Sequence, residues 1–238
     1  MFFLDAHVHF YDEYDADLLF DVFAAHAKTI APGCADLAMA VMLRDFQSSL
    51  LAAVNPARLR KWRIEDGGEK GCAALAVCGD TRISLFPARQ VAAKERVELL
   101  GFFGEAPVPD GLPLAETAAR LRDAGFTPVI AWGKGKWLFG RGRLVRELMA
   151  AEAAKSPKPL VGDSALRPFF WAEPLYGVAK GLGLRLTYGS DPLPGAGNEK
   201  KAGGYATLVD APLPRSYAGM LDVLASAPLK PCGKRATH

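Results

Sequence analysis

Apolar residues in this chain fall in short unbroken runs, most of them followed by a stretch with helical spacing, rather than in strict polar–apolar alternation. Runs of that kind predict strands buried on both faces. Phe2 to His9 is the first, followed by the acidic turn YDEYDAD and an amphipathic helix over about Asp15–Ala27, which Ala31-Pro32-Gly33 breaks. LAMAVML (37–43) predicts a second buried strand ending at Arg44-Asp45. KWRIED and CAALAVC, joined by a Gly-rich stretch, predict an antiparallel hairpin over about 60–78. RISLFPARQ and VELLGFF read as two more strands, and LAETAARLRDAG as a helix with Gly125 as its C-cap. Strand 127–132, helix RLVRELMAAEAAK, strand 159–163, a helix near 173–180 and strand 184–191 continue the alternation. PLPGAGNEKKAGG predicts a long loop, SYAGMLDVLASA the last helix, and PCGKRATH a tail that frays from about 229.

The predicted strands end in polar residues or at a turn: His9, Asp45, Trp132, Asp163 and Asp191. Sites in α/β folds lie at the carboxyl ends of strands. The expected fold class is therefore α/β, a barrel of about seven strands in one domain over 1–238, with an open doubly wound sheet as the alternative.

Charge and composition narrow the function classes only a little. The chain has 238 residues, half of them hydrophobic, and a net charge of +3. So weak a basic balance gives no reason to expect a nucleic-acid partner. Lys134, Lys136, Arg141, Arg143 and Arg146 are crowded together, which points to a small anionic ligand. Cys34, Cys72, Cys78 and Cys232 show no CxxC spacing, so neither a zinc finger nor a disulfide framework is expected. No apolar run reaches the roughly 20 residues of a membrane span. A cytoplasmic protein with no membrane partner is the expectation, and the oligomeric state is not readable.

His7 and His9 carry the clearest chemistry. Residues i and i+2 of a strand share a face, so both imidazoles converge at one strand end, where an ion can bind both. Asp5, two residues earlier, is expected on that same face as a partner to an imidazole N–H. Two strand-end histidines that merely hydrogen-bond are the plain alternative.

DAHVHF resembles the opening motif of metal-dependent hydrolases with TIM-like barrels, including the amidohydrolase superfamily and the PHP (polymerase and histidinol phosphatase) family. The order of later segments is more similar to PHP proteins: VMLRDFQS, RISLFPARQVAAKERVELLGFF, AGFTPVIAWGKG, PLVGDSALRP and LRLTYGSDPLP stand where that family carries its strand-end ligands. The resemblance covers about 1–205 and implies a distorted (βα)7 TIM-type barrel. Phe46, Gln90, Trp132 and Leu193 replace expected ligands, which leaves His7, His9 and Asp191. The set implied is two histidines and one carboxylate for a single divalent ion, Zn, Mn or Fe. Asp45 and Asp163 are then candidate catalytic bases. Activity on a phosphate ester by metal-activated water is one expectation. A non-catalytic barrel with a degenerate site is the other.

Two glycine-rich loops complete the candidates. In GKGKWLFGRGR, Lys134, Lys136 and Arg141 precede a helix N-terminus, where an anion is well received, although the stretch also reads as a solvated basic loop. Asn198 and Lys200 lie in the loop after Asp191 and are further anion-binding candidates.

Overall fold

The computed structural model describes residues 1–44, 47–67 and 74–235, so Asp45, Phe46, Cys72 and the hairpin's connecting segment lie outside the described residues. Among these residues one mixed sheet holds eleven strands: β1 (Phe2–Val8), β2 (Asp36–Leu43), β3 (Arg63–Glu65), β4 (Ala74–Cys78), β5 (Thr81–Ala92), β6 (Glu98–Phe102), β7 (Thr127–Ala131), β8 (Leu160–Ser164), β9 (Arg185–Gly189), β10 (Tyr205–Val209) and β11 (Leu229–Gly233). Its order is β11-β10-β1-β2-β5-β6-β7-β8-β9. Among the described residues the six α-helices are α1 (Ala16–Ile30), α2 (Leu50–Val54), α3 (Leu114–Asp123), α4 (Gly140–Ala153), α5 (Pro174–Gly181) and α6 (Tyr217–Ser226).

The sheet curls into a nearly closed barrel, so the open doubly wound alternative is set aside. Phe2, Leu4, Ala38, Ala40, Met42, Phe86, Ala88, Leu100, Phe102, Val129, Ala131 and Leu160 fill the interior. Phe3, Val8, Met39, Val41, Leu85 and Ile83 face outward onto α1, whose Leu19, Phe20 and Phe23 are buried against them. Both faces of β1 and β2 are thus covered, which is why their sequences are apolar throughout. Asp15 caps α1 by accepting from Leu18 N–H, and Glu173 caps α5 by accepting from Leu175 N–H, with Pro174 at the first helical position.

Three features depart from a regular (βα) barrel. β6 runs antiparallel to both neighbours. The 12-residue β5 pairs β4 along its first half and β6 along its second, which accommodates the β3–β4 hairpin expected from the sequence. The end of the chain is the third: residues 229–233 form β11 on β10 instead of fraying. Neither β10 nor β11 stood out in the sequence, because both are short and lie among Gly, Pro and Lys.

The seam between β9 and β1 has no continuous ladder. Side chains and single backbone bonds close it: Thr207 Oγ1 accepts from Tyr188 N–H at 2.7 Å and donates to Tyr188 O at 3.0 Å, and Asp191 N–H donates to His7 O at 2.9 Å. Beyond the seam the sheet overlaps itself, with Tyr205 on the inner face of β10 reaching Asp163 and Tyr188 on the outer face of β8 and β9.

Candidate metal centre

A one-residue bulge sets the direction of the two histidines. Asp5 pairs with Met39 and Val8 with Val41, so three steps on β1 match two on β2. The extra residue turns Ala6 and His7 both toward the barrel axis, with Val8 outward. His9, past the end of the strand, turns back inward. Strict alternation would have sent His7 to the α1 side.

The same bulge corrects the expectation for Asp5. It does not back an imidazole but points outward, fully buried, and accepts from Ser190 N–H (2.8 Å), Ser190 Oγ–H (2.5 Å), Gly203 N–H (2.8 Å) and His7 N–H (3.2 Å). Burial pushes its carboxyl up to about 6, against the pull of those four donors. Asp5 is therefore a staple across the seam.

Four side chains converge at the carboxyl end of the barrel. His7 Nε2 and His9 Nε2 are 3.1 Å apart, and Gln90 Oε1 lies 2.9 Å from the first and 3.0 Å from the second. Asp191 Oδ1 lies 3.4 Å from His7 Nε2, and its other oxygen accepts from Ser164 Oγ–H at 3.1 Å. Asp191 has a positive φ of 47°, and its N–H is tied to His7 O. The turn after β9 thus aims this carboxylate back across the seam.

The donor set fits a cation. With Oε1 turned inward, an amide oxygen only accepts, and two facing imidazole nitrogens can share one proton at most. Every proton placement on neutral rings leaves one pair of lone pairs, or one pair of N–H groups, about 3 Å apart. An ion bonded at about 2.0–2.2 Å has ligand–ligand edges of this size and removes the conflict. His9 is poised as a neutral ligand, because burial, then the neighbouring His7, push its pKa down to about 3. His9 Nδ1 is buried with no partner among the described residues.

The surroundings are aromatic and charged. Tyr11 stacks on His9 at 5.2 Å, and the Arg44 guanidinium lies 5.2 Å over the Tyr11 ring. Burial, then the Asp191 carboxylate, push the Tyr11 phenol up to about 12. Arg44 is fixed by its neighbours: its N–H donates to Gln47 Oε1, and its carbonyl accepts from Gln47 N–H and Arg89 Nη1. Arg89 is itself 1% exposed, and its other guanidinium nitrogen serves the Gln47 and Glu105 carbonyls.

The remaining sequence candidates are dispersed. β8 turns Gly162 and Ser164 inward and Asp163 outward, where Arg167 holds it through Nε (2.7 Å) and Nη2 (2.5 Å), and Tyr176 and Tyr205 donate their hydroxyls to it. A carboxylate so engaged, on the wrong face, is not a base for this centre. Lys136 is paired with Glu98 at the amino end of β6, and Arg141 donates to Gly135 O. Lys134 and Lys200 are exposed, and Asn198 donates to Pro194 O. These five do not form one anion cradle. Gln90 is the group that sequence reasoning undervalued: the signal was its place near an expected glutamate, and a neutral side chain there looked like a loss.

No protein-family model matches the chain, and no curated protein matches its sequence. Solved structures do. PsfC from Pseudomonas syringae superposes with a TM-score of 0.59 at 15% identity, over 98% of this chain and 91% of that one. The lesion-specific endonuclease EndoQ from Pyrococcus furiosus gives 0.50 at 14% identity over 94% of this chain. An Endonuclease Q complex with a 27-mer duplex substrate, carrying an abasic lesion at the active site, gives 0.50 at 15% over 96%. The likeness is one of fold. This chain spans only 56% and 58% of the two endonuclease chains. It supports the barrel that the PHP resemblance implies. It also overturns the expectation that nucleic acid is no partner, because a protein of this fold is seen with a DNA duplex. Net charge averages over a whole surface, whereas nucleic acid is met by a local one.

Proposed function

We propose that this protein is a metal-dependent hydrolase of phosphoesters, with one divalent ion (Zn, Mn or Fe) held by His7, His9, Asp191 and the Gln90 carboxamide oxygen. The observation that carries the reading is the convergence of these ligand atoms, His7 Nε2 within 2.9–3.4 Å of each of the other three, from β1, β5 and the turn after β9. Of these, the set His7, His9 and Asp191 has all its ligand atoms within 4.8 Å of one another. A divalent ion held there supplies an acidified water and a Lewis acid for a phosphoryl oxygen.

The chain's own groups do the rest. Ser164 and the His7 carbonyl fix Asp191 by its Oδ2 and its N–H, so Oδ1 is presented toward the imidazoles. Tyr11 walls one side of the centre. Arg44 brings a cation to the same rim, where a phosphoester's non-reacting oxygens would be held. A single carboxylate among the four ligands, with a neutral carboxamide at Gln90, favours a single ion, since two dications normally share a bridging carboxylate. The fold similarity to an endonuclease supports phosphoester chemistry.

The test is elemental analysis of protein purified without added metal, for wild type and for His7→Ala and His9→Ala, followed by hydrolysis of bis- and mono-p-nitrophenyl phosphate. One equivalent of metal in wild type and none in the variants, with hydrolysis following the metal, is the expected result. A metal-free wild type that gains no thermal stability from Zn or Mn would leave the barrel as a non-catalytic binding protein.

A further inference from the structure

A second cavity, about 610 Å³, lies away from the metal centre, where the sheet overlaps itself. One wall is the outer face of β8 and β9, with Asp163, Leu186 and Tyr188. The other is the inner face of β10 and β11, with Tyr205, Pro231 and Gly233. Stacked sheets stand about 10 Å apart, and large side chains normally fill that gap. Here β11 contributes a proline and a glycine, so the gap stays open as a slot. The connection from β9 to β10 carries only a short 3-10 turn (Asn198–Lys201), and Ala202 beside it packs with α1, so no α-helix fills the slot from that connection.

The slot is rigid and aromatic. Arg167, Tyr176 and Tyr205 all bind the buried Asp163 carboxylate, and Tyr188 packs on Tyr205 at 5.7 Å. The Tyr188 hydroxyl has no protein partner among the described residues. At the mouth stands Phe169, 61% exposed, on a loop that Arg235 ties down through the Pro168 and Phe169 carbonyls. Lys234 is exposed beside it. A flat aromatic slot with one open hydroxyl inside and cations at its lip matches a planar heteroaromatic ring carrying an anionic group.

The geometry points to this slot as a binding site for a nucleobase with its phosphate, the base stacking on Tyr188 and the phosphate held by Lys234. Free mononucleotide and an unpaired nucleotide within a strand share this chemistry. The site is separate from the metal centre and does not depend on the hydrolase reading.

Calorimetry with AMP and fluorescence anisotropy with a fluorescein-labelled oligodeoxythymidylate test it. Variants are Tyr188→Ala, Lys234→Glu and Pro231→Trp, which fills the slot without removing a contact, each checked for an unchanged melting curve. Tyr188→Ala and Pro231→Trp are expected to weaken binding about five- to hundredfold, the range for losing one base stack. Ribose 5-phosphate, which lacks the base, is expected to bind far more weakly than AMP, and His7→Ala to bind like wild type. Binding of AMP alone identifies a nucleotide site, and binding of the oligonucleotide a strand site. The proposal fails if neither probe binds, if both slot variants bind like wild type, if ribose 5-phosphate matches AMP, or if His7→Ala abolishes binding.

Discussion

Asp191 meets His7 twice: its backbone N–H donates to the His7 carbonyl at 2.9 Å, and its carboxylate Oδ1 stands 3.4 Å from His7 Nε2. The first contact closes the barrel and the second assembles the ligand set. Residues 184 positions apart in sequence therefore share one local geometry, in which the seam of the barrel is also the floor of the site.

Gln90 sets the charge of that site. Replacing its carboxamide with a carboxylate adds a negative charge beside the ion at nearly constant shape. Gln90→Glu is expected to bind Zn or Mn about tenfold or more tightly, and Gln90→Leu more weakly than wild type. Chelator-competition titrations check both. Equal affinities in all three proteins would remove Gln90 from the ligand set.

Gly189 is required by the closeness of β9 to β1. A Cβ on it would stand 2.6 Å from both the His7 nitrogen and the His7 Cβ, a distance that neither backbone can tolerate. Gly189→Ala is expected to cost about 2–4 kcal/mol and to lower metal stoichiometry, because His7 must shift to make room. Urea unfolding and elemental analysis read the two effects separately.

Arg89 is a buried cation serving three carbonyl groups in the segments around Arg44 and Glu105. Arg89→Met keeps the bulk and removes the donors, leaving those carbonyls short of partners in a buried setting. A loss of about 3 kcal/mol is expected by chemical denaturation. Arg89→Lys is expected to recover little of it, since an ammonium cannot reproduce the fork.

Cys232 offers a pH-dependent check on the β10–β11 pair. Burial, then Cys34 and Asp5 nearby, push its thiol up to about 12, and its sulfur lies 3.4 Å from the Ala206 carbonyl. Only the thiolate alkylates, so at pH 8 iodoacetamide is expected to label Cys232 about fiftyfold more slowly in the folded protein than in urea. Because the folded thiol titrates far above pH 8, its rate should rise about tenfold per pH unit from 8 to 10. Labelling at the unfolded rate would show that β11 does not cover it.

The sequence made the barrel legible through its apolar runs, because strands covered on both faces need no alternation and most runs were followed by a helix. It made His7, His9 and Asp191 legible through strand-end polarity and through family resemblance. The facing of Asp5 was not legible. A bulge inserts one residue without any signature in composition, and a period-two reading then places every later side chain on the wrong face. Asp163 failed for a related reason: a polar strand end signals a site only if it points inward, and Gly162 beside it carries no side chain to betray which face is which. β11 was missed because its pairing energy comes from β10, not from its own propensities.

The bulge on β1 has a consequence for anyone who would transplant or remodel this centre. Within three consecutive residues the strand delivers a stitch outward through Asp5 and a ligand inward through His7. Pleating β1 regularly with every residue kept would leave Asp5 outward but swing His7 to the α1 side beside it, blinding the centre. Stability and chemistry here are not two modules to be tuned in turn but a single mechanical part, and any transplanted version must carry the irregular strand together with Ser190 and Gly203, which receive its outer half.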